Sequence, residues 1–526
     1  MPCGRLPLRL DPDRAPVCRP GARCDAPVID GFRKLFMGGA LGKVLGIVRE
    51  MLLAALLGTS AGVASYRVSQ TAALAPMNLL NAELLAVGFL PQHARLADDP
   101  RLAWALYRMV RNWVLIACSV IAVGLVMFGR LWAGILAPGF SGDAVTLTVA
   151  MIAITGSALP FYGYVSVASY LAMARGEYRI AALRPSIQSL GLIAATIVAF
   201  ATGSPAWLAV GFLAAYVGMS GWSWFVVHRL QSGAAALAAA EPGERRAVRI
   251  ALWHAMRPYL VVPIVVQAVW VLERALTSLI SVSAVAALDY ARVISETIIV
   301  LVAAPLGLSV LASSVRGAHT VKEVARILLI FGVMVSGVIV VATPTLVTVV
   351  FGRGAFGPES VAVTSAFLLG LALGLWAQLV AYVLTRFLNA EGKNRMAALA
   401  VGIGSGVTVV ADIILFVPLG PLGIGLGSSL GGMAQMIVVV VVLRVSRMLL
   451  STAAMLAPPF VACVAIAFTV DGSPAARALW AAGVLALWAV WVVGIAPLRR
   501  ATLDACRRLL GRHVSHTRSV KGSAGG

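Results

Sequence analysis

A set of ionisable residues stands inside long apolar runs of this 526-residue chain, and these are the side chains whose types could do chemistry. The cations are Lys43, Arg49, Arg67, Arg274 and Arg292, and the acids are Glu50, Glu83, Glu273, Asp289 and Asp412, with Glu296 in the same run as Arg292. A charge at the centre of a hydrocarbon layer costs several kcal/mol unless it is paired or faces water. Guanidinium groups present forked donors that match phosphate oxygens, so these cations around one cavity would suit a diphosphate. The acids offer a second chemistry, exchange of a proton or small cation, as well as the plain structural role of neutralising the cations.

Spacing separates these roles only in part. Glu50 comes seven residues after Lys43 and nearly eclipses it on a helix, which fits either a packing contact between the two with Arg49 snorkelling or a cationic lining of a central cavity. Glu273 and Arg274 are adjacent and cannot share a helix face, so at least one needs a partner on another element. Pro76 interrupts the run that holds Arg67 and Glu83, which predicts a kink with freed carbonyls. Arg386, near the end of its run, reads as a snorkelling side chain, whereas Asp412 is open between buried structural acid and site residue. The sequence holds no HExxH or GxxxxGK[ST] pattern and no CxxC among its six cysteines. No enzymatic activity, no cofactor and no metal is therefore expected, and transport would draw on an ion gradient or the membrane potential.

The elements that must hold these charges follow from composition. Sixty per cent hydrophobic residues, 12% charged residues and a mean hydropathy of +0.93 describe an all-α integral membrane protein. The apolar runs predict about 14 transmembrane helices in two six-helix lobes plus a C-terminal pair. Residues 35–227 form the first lobe (helices 1–6), 228–255 a cytoplasmic linker, 256–443 the second lobe (helices 7–12) and 444–496 helices 13–14. Residues 1–34 and 497–526 read as basic cytoplasmic tails, the first disordered, with Val28 of "VIDGFRKLF" an alternative first residue. Lys and Arg fall in alternate gaps, such as Arg175 and Arg179 or Lys393 and Arg395, while "ATGSP" and "VPLGPLG" hold none. The positive-inside rule then puts both termini in the cytoplasm. The net charge of +21 sits beside apolar segments, which points to anionic lipid and not to nucleic acid.

Several stretches resemble one family. "GKVLGIVREMLLAALLGTSAGVASY" (42–66), "GFLPQHARL" (88–96), "RALTSLISVSAVAALDYARV" (274–293) and the long segment 351–430 from "FGRGAF" are similar to the MurJ/MviN group of lipid II flippases. That group lies in the superfamily of polysaccharide-repeat exporters and multidrug antiporters. The resemblance puts the family's first-helix cations on Lys43 and Arg49, the following acid on Glu50, and an eighth-helix arginine at or beside Arg292. It also marks departures: the family's aspartate falls on Ala64, its second-helix arginines fall near Met77 and Asn78, and a loop proline is replaced by Met396.

Three functions are compatible with these residues. The resemblance and the cations imply a flippase for an undecaprenyl-pyrophosphate-linked saccharide in the bacterial inner membrane, carrying either lipid II or an exopolysaccharide repeat unit. The acids leave room for a cation-coupled multidrug antiporter. The lost aspartate and arginines leave room for a non-transporting scaffold. The expected partners are the lipid-linked saccharide pyrophosphate and anionic lipids, and the sequence does not identify a coupling ion.

Overall fold

The computed structural model describes residues 25–79, 85, 88–96, 98–231, 241–256, 261–313, 318–469 and 474–500, and Glu83 lies outside them. Every regular element among the described residues is a helix. The first half of the chain contributes α1 (Asp25–Leu57), α2 (Ala61–Leu79), the short α3 (Leu90–Arg95), α4 (Pro100–Met127), α5 (Gly129–Leu136), α6 (Asp143–Ser157), α7 (Leu159–Ala174), α8 (Arg179–Thr202) and α9 (Trp207–Gln231). After α10 (Pro242–Met256), the second half holds α11 (Val261–Ile280), α12 (Val282–Ser313), α13 (Ala318–Phe351), α14 (Pro358–Leu373), α15 (Leu375–Ala390), α16 (Asn394–Leu419) and α17 (Pro421–Val442). The chain then adds α18 (Ser446–Thr469) and α19 (Pro474–Gly494).

Nine helices among the described residues are long and apolar enough to cross a membrane, or ten if the bent pair α14–α15 is one span. The expected 14 are therefore matched in position more fully than in this count. Two of the shortfalls have a compositional reason. α1 carries Lys43, Arg49 and Glu50 in its apolar part, and α2 carries Arg67, Gln70 and Asn78, so both are too polar to qualify. Three expected continuous runs are broken. α4 gives way to α5 at Phe128, α6 to α7 at Ala158 just before Pro160, and α14 to α15 at Gly374 with a 53° bend. A proline near a helix start removes a donor that the preceding turn would have used, which accounts for the second break.

Two further differences concern segments expected to be irregular. α1 starts at Asp25, ten residues before the expected span, because "DAPVID" supplies an acid and a proline to a first turn. The linker 228–255 contains α10, which packs on α4.

In the first half α1 runs along α8, α2 along α6, α4 along α7, and α9 against α7 and α8. The closeness of the first pair depends on glycine: a Cβ on Gly38 would stand 2.6 Å from the Ala182 Cβ, and one on Gly42 2.6 Å from the Pro185 Cβ. Small residues of this kind let helices associate where lipid offers no hydrophobic drive. In the second half α16 and α14 pack on α17, α13 on α15, and α11 on α16. α18 and α19 both rest on α13 and are tied to each other by the Trp491 indole, which donates to the Met455 carbonyl at 3.0 Å. Large apolar side chains such as Ile116, Val417, Val461 and Leu479 are exposed, an outward surface that suits lipid and not water.

The halves meet through α2 against α11 and α12. Hydrogen bonds between them cluster at one end, where α1 turns into α2. The Ala355 amide donates to the Ala55 carbonyl at 2.8 Å, the Tyr290 hydroxyl to the Gly58 carbonyl at 3.1 Å, and the Gly139 amide to Ser278 Oγ at 3.1 Å. Thr59 Oγ1 and Ser360 Oγ are 2.7 Å apart. Gly58, at φ +60°, makes the turn that brings α1 to this joint.

The positive-inside pattern predicts that this joint is the outer end of the bundle, an expectation that cysteine accessibility tests. Gly176, Gly392 and Gly420 all have positive φ, so the cysteines belong beside them. Glu177→Cys and Glu391→Cys are expected to be closed to an impermeant thiol reagent in intact cells, with Ser204→Cys and Leu419→Cys open. Labelling of Glu391→Cys from outside would sink this orientation.

Candidate functional site

The charged residues of α1, α2, α11 and α12 converge just inside the sealed end. α1 and α11 run toward the seal and α2 and α12 away from it, so Glu50, Arg67, Arg274 and Asp289 reach similar depth from four directions. Glu50, 1% exposed, accepts from Arg49 (Nη2–Oε1 2.5 Å) and from Arg67 through its other oxygen. Arg67 also faces Asp289, with Nε 3.4 Å from Oδ2. Asp289 accepts from Arg274 Nη2 through both oxygens, at 2.7 and 3.0 Å, and Arg274 Nη1 donates to the Val285 carbonyl at 2.9 Å. The result is an alternating ladder, Arg49–Glu50–Arg67–Asp289–Arg274, that crosses from the first half to the second.

A second pair lies beside it. Arg292 donates to Glu273, whose Oε1 accepts from Ser428 Oγ at 2.9 Å, and the Arg292 guanidinium sits 4.3 Å from the centre of the Trp270 ring. Adjacent Glu273 and Arg274 thus take different partners, as their spacing requires. The expected contact between Lys43 and Glu50 is absent. Arg67 reaches Glu50 from α2 with a fork of donors, and among the described residues Lys43 makes no ion pair.

Two neighbouring cavities open against this ladder. One of about 220 Å³, between α1, α2, α11 and α12, is walled by the ladder, Arg292, Glu296 and a neutral group that includes Gln70, Asn78, Gln267 and Trp270. The other, about 240 Å³, lies between α1, α8 and α12 and adds Lys43, Gln188 and Ser189. Arg49, Glu50, Val293 and Glu296 stand in both walls. Together the walls carry five cations against three carboxylates, with Glu273 behind them on Arg292. Such a surface favours an anionic ligand, and its forked donors fit a phosphate group.

The sequence-derived set is therefore gathered with two exceptions, Glu83 and Asp412, and Arg386 stands apart as its snorkelling reading expects. Glu83 lies outside the described residues. Arg386 is exposed and near Tyr382, in keeping with a snorkelling side chain. Asp412, on α16, is fully buried away from both cavities, and neither of its carboxylate oxygens has a hydrogen-bond partner among the described residues. It faces Gly427 of α17, where a Cβ would collide with its Oδ1. Sequence reasoning missed Gln70, Trp270 and Ser428, and it gave Gln267 and Asn78 no role. A usable signal existed on α2, where Arg67, Gln70, Thr71 and Asn78 recur at helical spacing in an otherwise apolar element.

The family model described as lipid II flippase MurJ matches residues 53–501, a stretch that begins after Lys43, Arg49 and Glu50. Among solved structures, the fold is similar to "Lipid II flippase MurJ, inward closed conformation" (TM-score 0.67, 16% identity, 87% of this chain and 98% of that one). It is also similar to an inward-facing multidrug resistance MATE family transporter of the MOP superfamily (TM-score 0.61, 15% identity, 78% and 96%). A third likeness is to a MOP superfamily transporter from Pyrococcus furiosus, described as having a binding pocket of reverse polarity (TM-score 0.52, 14% identity, 80% and 96%). These likenesses concern the fold. No curated protein matches in sequence.

The ladder makes a stability prediction. Glu50→Ala leaves Arg67 buried without one of its acids, an uncompensated charge that costs about 3–5 kcal/mol. Glu50→Ala combined with Arg67→Met removes both charges, so its effect is expected to be smaller than the sum of the single changes. Thermal unfolding of the detergent-solubilised protein measures this, and simple additivity would show that the two side chains do not depend on each other.

Proposed function

The chain belongs to the MurJ lipid II flippase family, and from that premise we propose that it carries an undecaprenyl-pyrophosphate-linked saccharide, lipid II or a close relative, from the inner to the outer leaflet of the bacterial inner membrane. The observation that carries this reading is the convergence of Lys43, Arg49, Arg67, Arg274 and Arg292 on cavities just inside a hydrogen-bonded seal. In this proposal residues 35–227 and 256–443 are two lobes that rock about the cavity, within a bundle of about 14 spans. The headgroup enters from the cytoplasmic side, the diphosphate replaces carboxylates on the arginines, and the prenyl chain stays in lipid. α18 and α19, resting on α13, extend the surface along which that chain runs. The membrane potential helps return the cationic cavity, since a unit charge crossing about 100 mV gains about 2.3 kcal/mol.

Ion coupling is supported by one observation, the buried Asp412 carboxylate with no hydrogen-bond partner among the described residues. α16, which carries it, packs on α11, which carries Glu273. We assign these two acids to the exchange of a proton or small cation between the two states. A cation-coupled multidrug antiporter would use them in the same way, and an exopolysaccharide repeat-unit exporter would use the same cationic cavity.

Arg49→Ala and Arg292→Ala are each expected to abolish rescue of a strain depleted of its own lipid II flippase, with protein levels near normal. Replacement by Lys keeps the charge and loses the forked contact, so only partial rescue is expected. If both alanine variants rescue fully while Asp412→Asn and Glu273→Gln do not, the diphosphate reading falls and the antiporter reading takes its place.

A further inference from the structure

The cavity wall is not uniform in chemistry. The ladder supplies charge near the seal, but farther from it the wall turns neutral and aromatic. Trp270 is four residues before Arg274 on α11, about 6 Å along the axis, and Gln267 is one turn farther. On α2, Asn78 is 11 residues beyond Arg67, about 16 Å. These side chains have little to offer a diphosphate that the arginines do not offer better.

Their own chemistry is that of a sugar site. Primary amides carry both donors and acceptors, which is what a ring of hydroxyl groups requires. Gln267 and Asn78 make no side-chain hydrogen bond among the described residues, and both line the cavity. Trp270 is 37% exposed although it belongs to the interior of the bundle. Arg292 lies over its ring at 4.3 Å and is itself tied to Glu273, so the indole is held in place while part of its surface stays free. The electron-rich face of an indole attracts groups with partial positive charge, and the C–H bonds on one face of a pyranose present such a surface.

We infer that Trp270, with Gln267 and Asn78, forms a saccharide subsite that seats one pyranose ring against the indole while the ladder and Arg292 hold the diphosphate. This rests on the flippase reading and adds to it the residues that sense what is attached to the diphosphate. Because Arg292 touches both Trp270 and Glu273, the sugar and the diphosphate are recognised by one connected set of side chains.

The test uses the full chain in detergent, titrated by native mass spectrometry with two probes: undecaprenyl diphosphate, and the same lipid carrying a disaccharide. The wild type is expected to bind the saccharide-bearing lipid more tightly. Trp270→Ala is expected to weaken that binding about tenfold, to the level of the bare lipid, and to leave the bare lipid unchanged. Trp270→Phe keeps an aromatic face and is expected to retain most of the preference. If Trp270→Ala does not fold, Gln267→Leu combined with Asn78→Leu gives the same readout, with loss of the preference expected. Equal weakening of both lipids by Trp270→Ala would mean that the indole acts only by holding Arg292, and no change with either would remove it from the site. Both results overturn the subsite alone. If the wild type binds neither lipid, the flippase reading itself fails and the subsite with it.

Discussion

The structure depends on the cost of holding charge at membrane depth. Arg49, Glu50, Arg67, Asp289 and Arg274 would each be expensive in hydrocarbon, and the ladder offsets that cost by alternating sign over short distances. Once the charges are placed, much else is constrained. α1, α2, α11 and α12 must converge, the adjacent Glu273 must turn to Arg292, and the cavities must lie where the ladder faces open space. The close packing of α1 on α8 through Gly38 and Gly42 then serves to hold the first rung in place.

The ladder also joins the halves, because Arg67 belongs to the first and Asp289 to the second. It stands directly beneath the seal made by Ala55, Gly58 and Thr59 with Ala355, Tyr290 and Ser360. Those seal contacts are neutral hydrogen bonds, each worth about 1 kcal/mol net, so a small number of them can open without a large penalty. An anion that competes for Arg67 weakens the charged part of the joint at the moment it binds. On the proposed reading, occupancy and opening are therefore coupled through one side chain.

Much of this was legible in the sequence, and what was not has physical reasons. The class of fold and the gathering of charge on α1, α2, α11 and α12 follow from apolar runs with charges at particular places, while the family follows from the resemblance of segments such as 42–66 and 351–430. Glu50's partner was misjudged because eclipsing on one helix favoured Lys43, whereas the structure brings a longer, forked donor from α2. The early start of α1 and the breaks at Phe128, Ala158 and Gly374 were missed because hydropathy measures apolar length and is nearly blind to backbone direction. Trp270 was passed over, and Gln267 and Asn78 were given no role, for a related reason. A neutral polar or aromatic residue in an apolar run announces nothing until the facing helices show that it looks into a cavity.

A flippase must release what it binds, and the pairing of the cations bears on this. Bare arginines facing a diphosphate would hold it through several charge-assisted bonds at once, each roughly twice as strong as a neutral one. In the ladder the same arginines are already satisfied by Glu50 and Asp289, so on the proposed reading binding exchanges one set of oxygens for another. The net gain is small compared with the gross interaction, as is usual when paired charges are traded inside a low-dielectric site. Lys43, which makes no ion pair among the described residues, is the exception, and it lines the second cavity beside Glu296. On the proposed reading an ammonium there attracts an incoming anion without the geometric demands of a fork, while the paired arginines farther in decide whether it fits. On that reading the arrangement separates attraction from recognition, and keeps recognition weak enough to be reversed.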